Sequence, residues 1–388
     1  MSALSAAALD FSAQPKGARA RPLRARLDFS ALRHNAARAR EWAGGAKFWA
    51  VIKANAYGHG QFEAAQALSG LCDGYALLES ENAIALRAHG VRAPILLLEG
   101  FFCPEEIPAL VQHDLTPVIH NAAQLEMLAS ASASARPAAV YVKLNSGMNR
   151  LGFAPENCGA ARRRLAELGI REITLMTHFA EADTDLGVAA AMDITRRVAA
   201  RDFSGLPQSL ANSAALIRYP ETRGGTRDWA RPGILLYGGS PFGVAPSATA
   251  EDLRLRPVMT LESRLIATQT LRPGDRLGYG GTFCARRESK VGIVACGYAD
   301  GYPRHAPTGT PIAVAGVRTQ TLGRVSMDML ACDITDIPEA REGAPVTLWG
   351  KGEGGQIAAD AVAARAGTVS YTLFCAVAPR VPRVIERF

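Results

Sequence analysis

Between Leu23 and about Pro257 the chain alternates short apolar runs of strand length with helical patterns, and that alternation limits the fold more than any other feature. Strands are predicted at residues 48–52, 74–78, 94–99, 115–120, 138–145, 173–179, 208–212 and 234–237. Helical patterns cover residues 30–42, a stretch ended by Gly70, residue 80 to the Gly90 stop, 105–112, 122–129, 156–168 and 187–200, with Ser30 as a cap. Eight strands, nearly every one followed by a helix, predict a parallel (β/α)8 barrel. A doubly wound open sheet is the competing arrangement. The barrel makes the sharper claim, because it gathers chemistry at the C-terminal ends of its strands, where Lys53, Asn145, His178 and Asn212 fall.

After Pro257 the texture changes to short β-branched runs at 258–266, 291–295, 311–315, 317–322 and 344–349, separated by glycine-rich turns. The one clear helical pattern there is 358–366. The expected organisation is a disordered leader over 1–22, a barrel over 23–250 and a mostly β domain over 251–388. The first residues, rich in Ala and Ser, lack a charged segment ahead of an apolar core, so no secretory signal is read.

A chain of 388 residues is comfortable for two domains, and 48% hydrophobic with 20% charged residues fits a soluble globular protein. No apolar run approaches the ~20 residues of a membrane span. Seven scattered cysteines without a CxxC pair argue against a disulfide framework or a zinc site and fit a reducing cytoplasm. The net charge of +7 suits an anionic ligand, but the basic residues form no stripe interleaved with aromatics, which argues against nucleic acid.

The sharpest local feature is Phe48-Trp49-Ala50-Val51-Ile52-Lys53-Ala54-Asn55-Ala56-Tyr57-Gly58-His59-Gly60, an apolar strand that presents one lysine at its end. Desolvation there favours the free amine needed for a Schiff base or a general base, whereas a lysine snorkelling at a strand rim is the ordinary alternative. Further on, Lys143 and Arg150 form a cationic pair near a strand end, and His178 closes an apolar strand, where a hydrogen-bonded core histidine is the plainer reading. Asn212-Ser213 opens a helix and suits an anion or a plain cap. Tyr279 lies in the glycine-rich turn Gly278-Tyr279-Gly280-Gly281-Thr282.

The Lys53 stretch resembles the pyridoxal-phosphate (PLP) lysine motif of alanine racemases, Lys-Ala-Asn-Ala-Tyr-Gly-His-Gly, without a break. Similar matches follow in family order from about residue 23 to 388, at Lys143 to Gly152, Arg231-Pro232-Gly233-Ile234, Gly278 to Thr282 and Val325-Ser326-Met327-Asp328. By that resemblance Lys53 holds PLP covalently, while Tyr57, Asn212, Ser213, Gly233, Ile234 and Tyr371 meet its phosphate side. Arg231 donates to the pyridine nitrogen, His178 stacks on the ring, and Arg150 reaches cofactor and substrate carboxylate, oriented by a carbamylated Lys143. Met327 offers a backbone N–H to the carboxylate, and segments around Asp300 and Asp328 line the entrance. Tyr279, linked to His178 and Arg231, is the second base, contributed by the other subunit of a head-to-tail homodimer.

The activity this implies is interconversion of L- and D-alanine by Lys53 and Tyr279, supplying D-alanine for cell-wall peptidoglycan. Three alternatives stand beside it: a broad-specificity amino-acid racemase, a non-catalytic PLP-carrier barrel, and a PLP decarboxylase on a similar frame. The carrier lacks a second domain, and the decarboxylase pocket commonly has an acid where Arg231 stands. No metal is expected.

Overall fold

Eight parallel strands pair in the order β8-β7-β6-β5-β4-β3-β2-β9 in the computed structural model, which describes residues 21–243 and 247–387. They are β2 (Lys47–Val51), β3 (Gly74–Leu77), β4 (Ile95–Leu97), β5 (Leu115–Ile119), β6 (Ala139–Lys143), β7 (Glu172–Met176), β8 (Gln208–Ser209) and β9 (Trp229–Ala230). The ring is completed by a parallel bridge between Asn212 and Arg231. Residues 1–20 of the expected leader, and 244–246 beside the expected boundary, lie outside the described residues.

Both faces of these strands are covered, so β3 and β4 are buried throughout, as a parallel sheet requires. Helices follow most strands, among them Ser80–Ala88, Ala122–Ser130, Cys158–Glu167 and Ala189–Asp202. One expected strand is corrected. Residues Ile234–Tyr237 form a buried 3-10 turn closed by Gly238 in the left-handed region, and the last barrel strand is the two-residue β9. A four-residue apolar run has too short a period to separate strand from helical turn.

The contacts divide the described residues into two units, Ser30–Arg256 and a second in which Pro257 onward is joined by residues 21–29. Strand β1 (Arg24–Asp28) therefore stands outside the barrel. It pairs antiparallel with β10 (Met259–Leu271) and parallel with Arg383–Arg387. Its alternation explains the choice: Ala25 and Leu27 are buried, and Arg24 meets its cross-strand partner Glu262 at 2.7 Å.

In this second unit the antiparallel pairings run from β10 through Ser289–Val294, Leu330–Asp333, Val317–Leu322, Pro311–Val314 and Pro345–Gly352, and back to β10. Two register shifts in the 13-residue β10 let it bend and serve both ends of that circuit. Trp349, Tyr302, Val291 and Leu348 fill the core. Besides Ala359–Arg365 a second helix, Ser370–Ala376, is present, a correction to the single helix expected here. Its Tyr, Thr, Phe and Cys content masks it from a propensity reading.

Candidate active site

Lys53 follows the end of β2 by two residues, and its backbone opens a run found in few proteins. Ala54, Asn55, Ala56 and Tyr57 all have φ between 52° and 53°, a left-handed turn made without glycine. Each such residue costs roughly 1–2 kcal/mol, so the turn persists only where its surroundings hold it. Those bonds are present: Ala56 N–H donates to Ile52 O at 2.9 Å, Gly60 N–H to Asn55 O at 3.1 Å, Gln61 N–H to Asn55 Oδ1 at 2.8 Å and Gln61 Nε2 to Ile52 O at 3.2 Å. The result fixes the direction in which Lys53 leaves the strand.

The other polar residues occupy equivalent places. Lys143 ends β6, Asn145 follows two residues later, His178 lies two past β7, and Arg231 comes directly after β9. Asn145 Oδ1 accepts from Gly147 and Asn149 N–H groups, shaping the loop that carries exposed Arg150. Lys143 is buried, and burial first, then the charges of Arg231 and Arg150, push its amine down to about 8. Glu99 opposes that shift. His178 is held well below its ordinary value by burial and by Arg231, Lys143, Arg150 and Lys53, so its imidazole is neutral at pH 7. Four cations around one neutral ring, with Glu99 as the acid acting on Lys143, form an environment built for an anion.

Arg231 is buried, and its terminal nitrogens donate to Ser209 O at 2.6 Å, Ser209 Oγ at 2.7 Å, Thr177 O at 2.5 Å and Leu210 O at 3.1 Å. Burial lowers it to about 10, which leaves it a cation at neutral pH. Its hydrogen bonds go to main chain and hydroxyl, and it acts on His178 through charge. Asn212 caps the helix Ser213–Arg218 by accepting from Ala215 N–H at 2.9 Å. Ser213 Oγ accepts from Gly233 N–H at 2.8 Å and so keeps its own proton to give. A Cβ on Gly233 would meet Tyr57 Oη at 2.6 Å, so the phenol, the serine hydroxyl and the Gly233-Ile234 backbone converge. Tyr57 is stacked on Tyr237, which also stacks on His59 and donates to Val51 O at 2.9 Å. Sequence reasoning quoted His59 within the lysine motif and gave neither it nor Tyr237 a role.

The remaining predicted residues belong to the second unit. Tyr279 is at the tip of the hairpin formed by Arg276–Leu277 and Phe283–Cys284, where Gly278 and Gly280 take positive φ and make the turn tight. It is 70% exposed and Met327 53%. Tyr371 is half-buried in Ser370–Ala376. Asp300 is fully buried and bound by Arg21 and Arg380, two residues that sequence reasoning did not single out.

Comparison with known proteins agrees over almost the whole chain. Residues 27–241 match the family model of the alanine racemase N-terminal domain, and residues 258–385 that of the C-terminal domain. The catabolic alanine racemase of Salmonella typhimurium is 50% identical over 366 residues, 94% of this chain and 99% of its own length. The alanine racemase of Nitrosomonas eutropha is 49% identical over 368 residues, 94% of this chain and 99% of its own. Among solved structures, the biosynthetic alanine racemase of Pseudomonas aeruginosa superposes with a TM-score of 0.87 at 44% identity, covering 95% of this chain and 99% of that one. The Bartonella henselae alanine racemase, described with covalently bound pyridoxal phosphate, shares the fold at 23% identity and a TM-score of 0.82, over 94% of this chain and 99% of its own. With both domain models matched in order and half of the residues shared with full-length relatives, this chain belongs to the alanine racemase family.

Proposed function

We propose that the chain interconverts L- and D-alanine with pyridoxal phosphate by a two-base route. The observation that carries this reading is the cationic cluster of Lys53, Lys143, Arg150 and Arg231 around neutral His178, at the C-terminal ends of the barrel strands. The donor set fits the cofactor. Tyr57, Ser213 and the Gly233-Ile234 backbone would hold its phosphate, with Asn212 ordering that corner and Tyr371 as a further contact. Arg231 would donate to the ring nitrogen without surrendering a proton, and His178 would lie against the ring face.

When bound, the cofactor supplies an electron sink that acidifies the substrate's Cα–H. Inversion then needs a proton carrier on each face of that carbon. Lys53 Nζ serves the D-alanine face, and the Tyr279 hydroxyl serves the L-alanine face. Arg150 and the Met327 N–H bind the substrate carboxylate; among the described residues the Met327 N–H is donated to no other group. The exposure of Tyr279 supports a homodimer in which each tyrosine completes its partner's site. Lowering the Lys143 amine to about 8 enlarges the share of free amine, the form that takes up carbon dioxide, which supports its carbamylation beside Arg150.

Seven free thiols support a reducing, cytoplasmic setting. Among the described residues no helix is long and apolar enough to cross a membrane. The D-alanine produced is taken as a cell-wall peptidoglycan precursor; induction of the gene only by alanine as a carbon source would count against that role. The reaction is tested by incubating purified protein and PLP with a panel of D- and L-amino acids. Alanine should racemise fastest, and Lys53→Ala should abolish both turnover and the visible absorbance of the lysine-linked cofactor. Equal rates across the panel would replace alanine with a broad specificity.

A further inference from the structure

Asp300 is fully buried, yet its carboxylate is reached from three separate parts of the chain. Oδ1 accepts from Arg21 Nη1 at 2.6 Å and from Arg380 Nε at 2.8 Å; Oδ2 accepts from Arg21 Nη2 at 2.9 Å and from Gly297 N–H at 2.8 Å. Burial pushes this carboxyl up, and the bonds from Arg21, Gly297 and Arg380 outweigh it and hold it below the usual value. It is therefore charged at neutral pH.

Both arginines continue to one destination. Arg21 Nη2 also donates to Asp328 O, and Arg380 Nη2 donates to Asp328 Oδ1 at 2.7 Å. The main chain runs alongside: Tyr298 N–H donates to Ser326 O at 3.0 Å and Ala299 N–H to Met327 O at 3.0 Å, while Ser326 N–H reaches Met329 O at 2.9 Å. The turn over residues 326–329 exposes Met327 and Met329, so apolar packing contributes little to its order and hydrogen bonds must supply it. Two guanidiniums against the carboxylates of Asp300 and Asp328 leave the clamp without net charge. It orders the turn without drawing an anion to itself.

We propose that Asp300, Arg21 and Arg380 are positioning residues for substrate binding, a buried charge clamp that aims the Met327 N–H at the substrate carboxylate. The inference rests on the reading of Met327 given above. It makes the segment entering β1 part of the substrate site, although Arg21 lies far from it in sequence.

The test uses the full-length holoenzyme carrying Arg21→Gln, Arg380→Gln or the exposed Asp328→Asn, which spare the buried acid should Asp300→Asn fail to fold. Loss of a charge-assisted bond to a group that binds substrate and transition state alike should raise KM for L-alanine about ten-fold with kcat within about two-fold. The cofactor's visible absorbance should be unchanged, amide exchange at Tyr298 and Ala299 should quicken, and Arg380→Lys should recover part of the KM. Unchanged KM in Arg21→Gln and Arg380→Gln, or lower stability with KM unmoved, overturns the clamp. Met327→Pro, which lacks the N–H, separates the two ideas. If it raises KM while the arginine variants do not, the clamp fails and the carboxylate reading stands; if it leaves KM unchanged, that reading fails and the clamp with it.

Discussion

Asn212 and Arg231 face each other across the parallel bridge that closes the eight-stranded ring, and Arg231 N–H donates to Ala211 O at 2.8 Å. Ring closure and assembly of the site are thus one event. The same backbone contact that joins the last two strands of the barrel fixes the start of the segment in which Arg231 acts on His178 through charge and Gly233 N–H donates to Ser213 Oγ.

Arg231→Ala should lower stability as well as activity. It leaves the carbonyls of Ser209, Thr177 and Leu210 without their buried donor, at a cost of about 3 kcal/mol. Urea unfolding should show the loss in the protein free of cofactor, and an unchanged midpoint would contradict the assignment.

Lys143 gives a pH dependence whose sign is fixed. Its folded value of about 8 lies below the usual 10.5, so between those values the unfolded chain binds the proton more tightly. The penalty is fully present below pH 8 and is relieved as pH rises through that window, so stability should climb. Lys143→Met should flatten the climb between pH 7.5 and 10, values taken on either side of the lysine's onset at about 8. The same neutral amine should acquire a carboxyl adduct in concentrated bicarbonate, visible by mass spectrometry. A free amine throughout would remove the carbamylation proposal.

The left-handed turn after Lys53 predicts an unusual gain. Ala54 is exposed with φ 53° and ψ 50°, where glycine is at ease and alanine is not. Ala54→Gly should raise stability by up to about 1 kcal/mol, the relieved strain exceeding the added chain entropy. Thermal melting decides, and a lower melting temperature would mean that the strain is absorbed elsewhere.

Much of this was legible before any coordinates. Barrel strands announce themselves through apolar runs such as 48–52 and 115–119, because burial on both faces leaves no place for polar residues. Lys53, Lys143 and His178 stood out as charges or imidazole at the ends of such strands, whereas Arg231 was singled out only by the resemblance of Arg231-Pro232-Gly233-Ile234 to the family motif. Partnerships across long separations were hidden. Nothing in Arg24–Asp28 says that it pairs with β10, and nothing near Asp300 points to Arg21. Short elements were ambiguous too: β9 has two residues, while the longer apolar run just after it turns out to be a 3-10 turn. The left-handed φ values after Lys53 ran against the preferences of Ala54, Ala56 and Tyr57, which is why only the structure reveals them.

The most direct trial of the two-base account is Tyr279→Phe, measured in both directions. The side chain is 70% exposed, so the change should leave the fold intact, along with the visible absorbance of the lysine-linked cofactor. Turnover from L-alanine should fall by roughly two to four orders of magnitude, the usual worth of a positioned proton carrier. Racemisation from L-alanine at the wild-type rate would contradict the account.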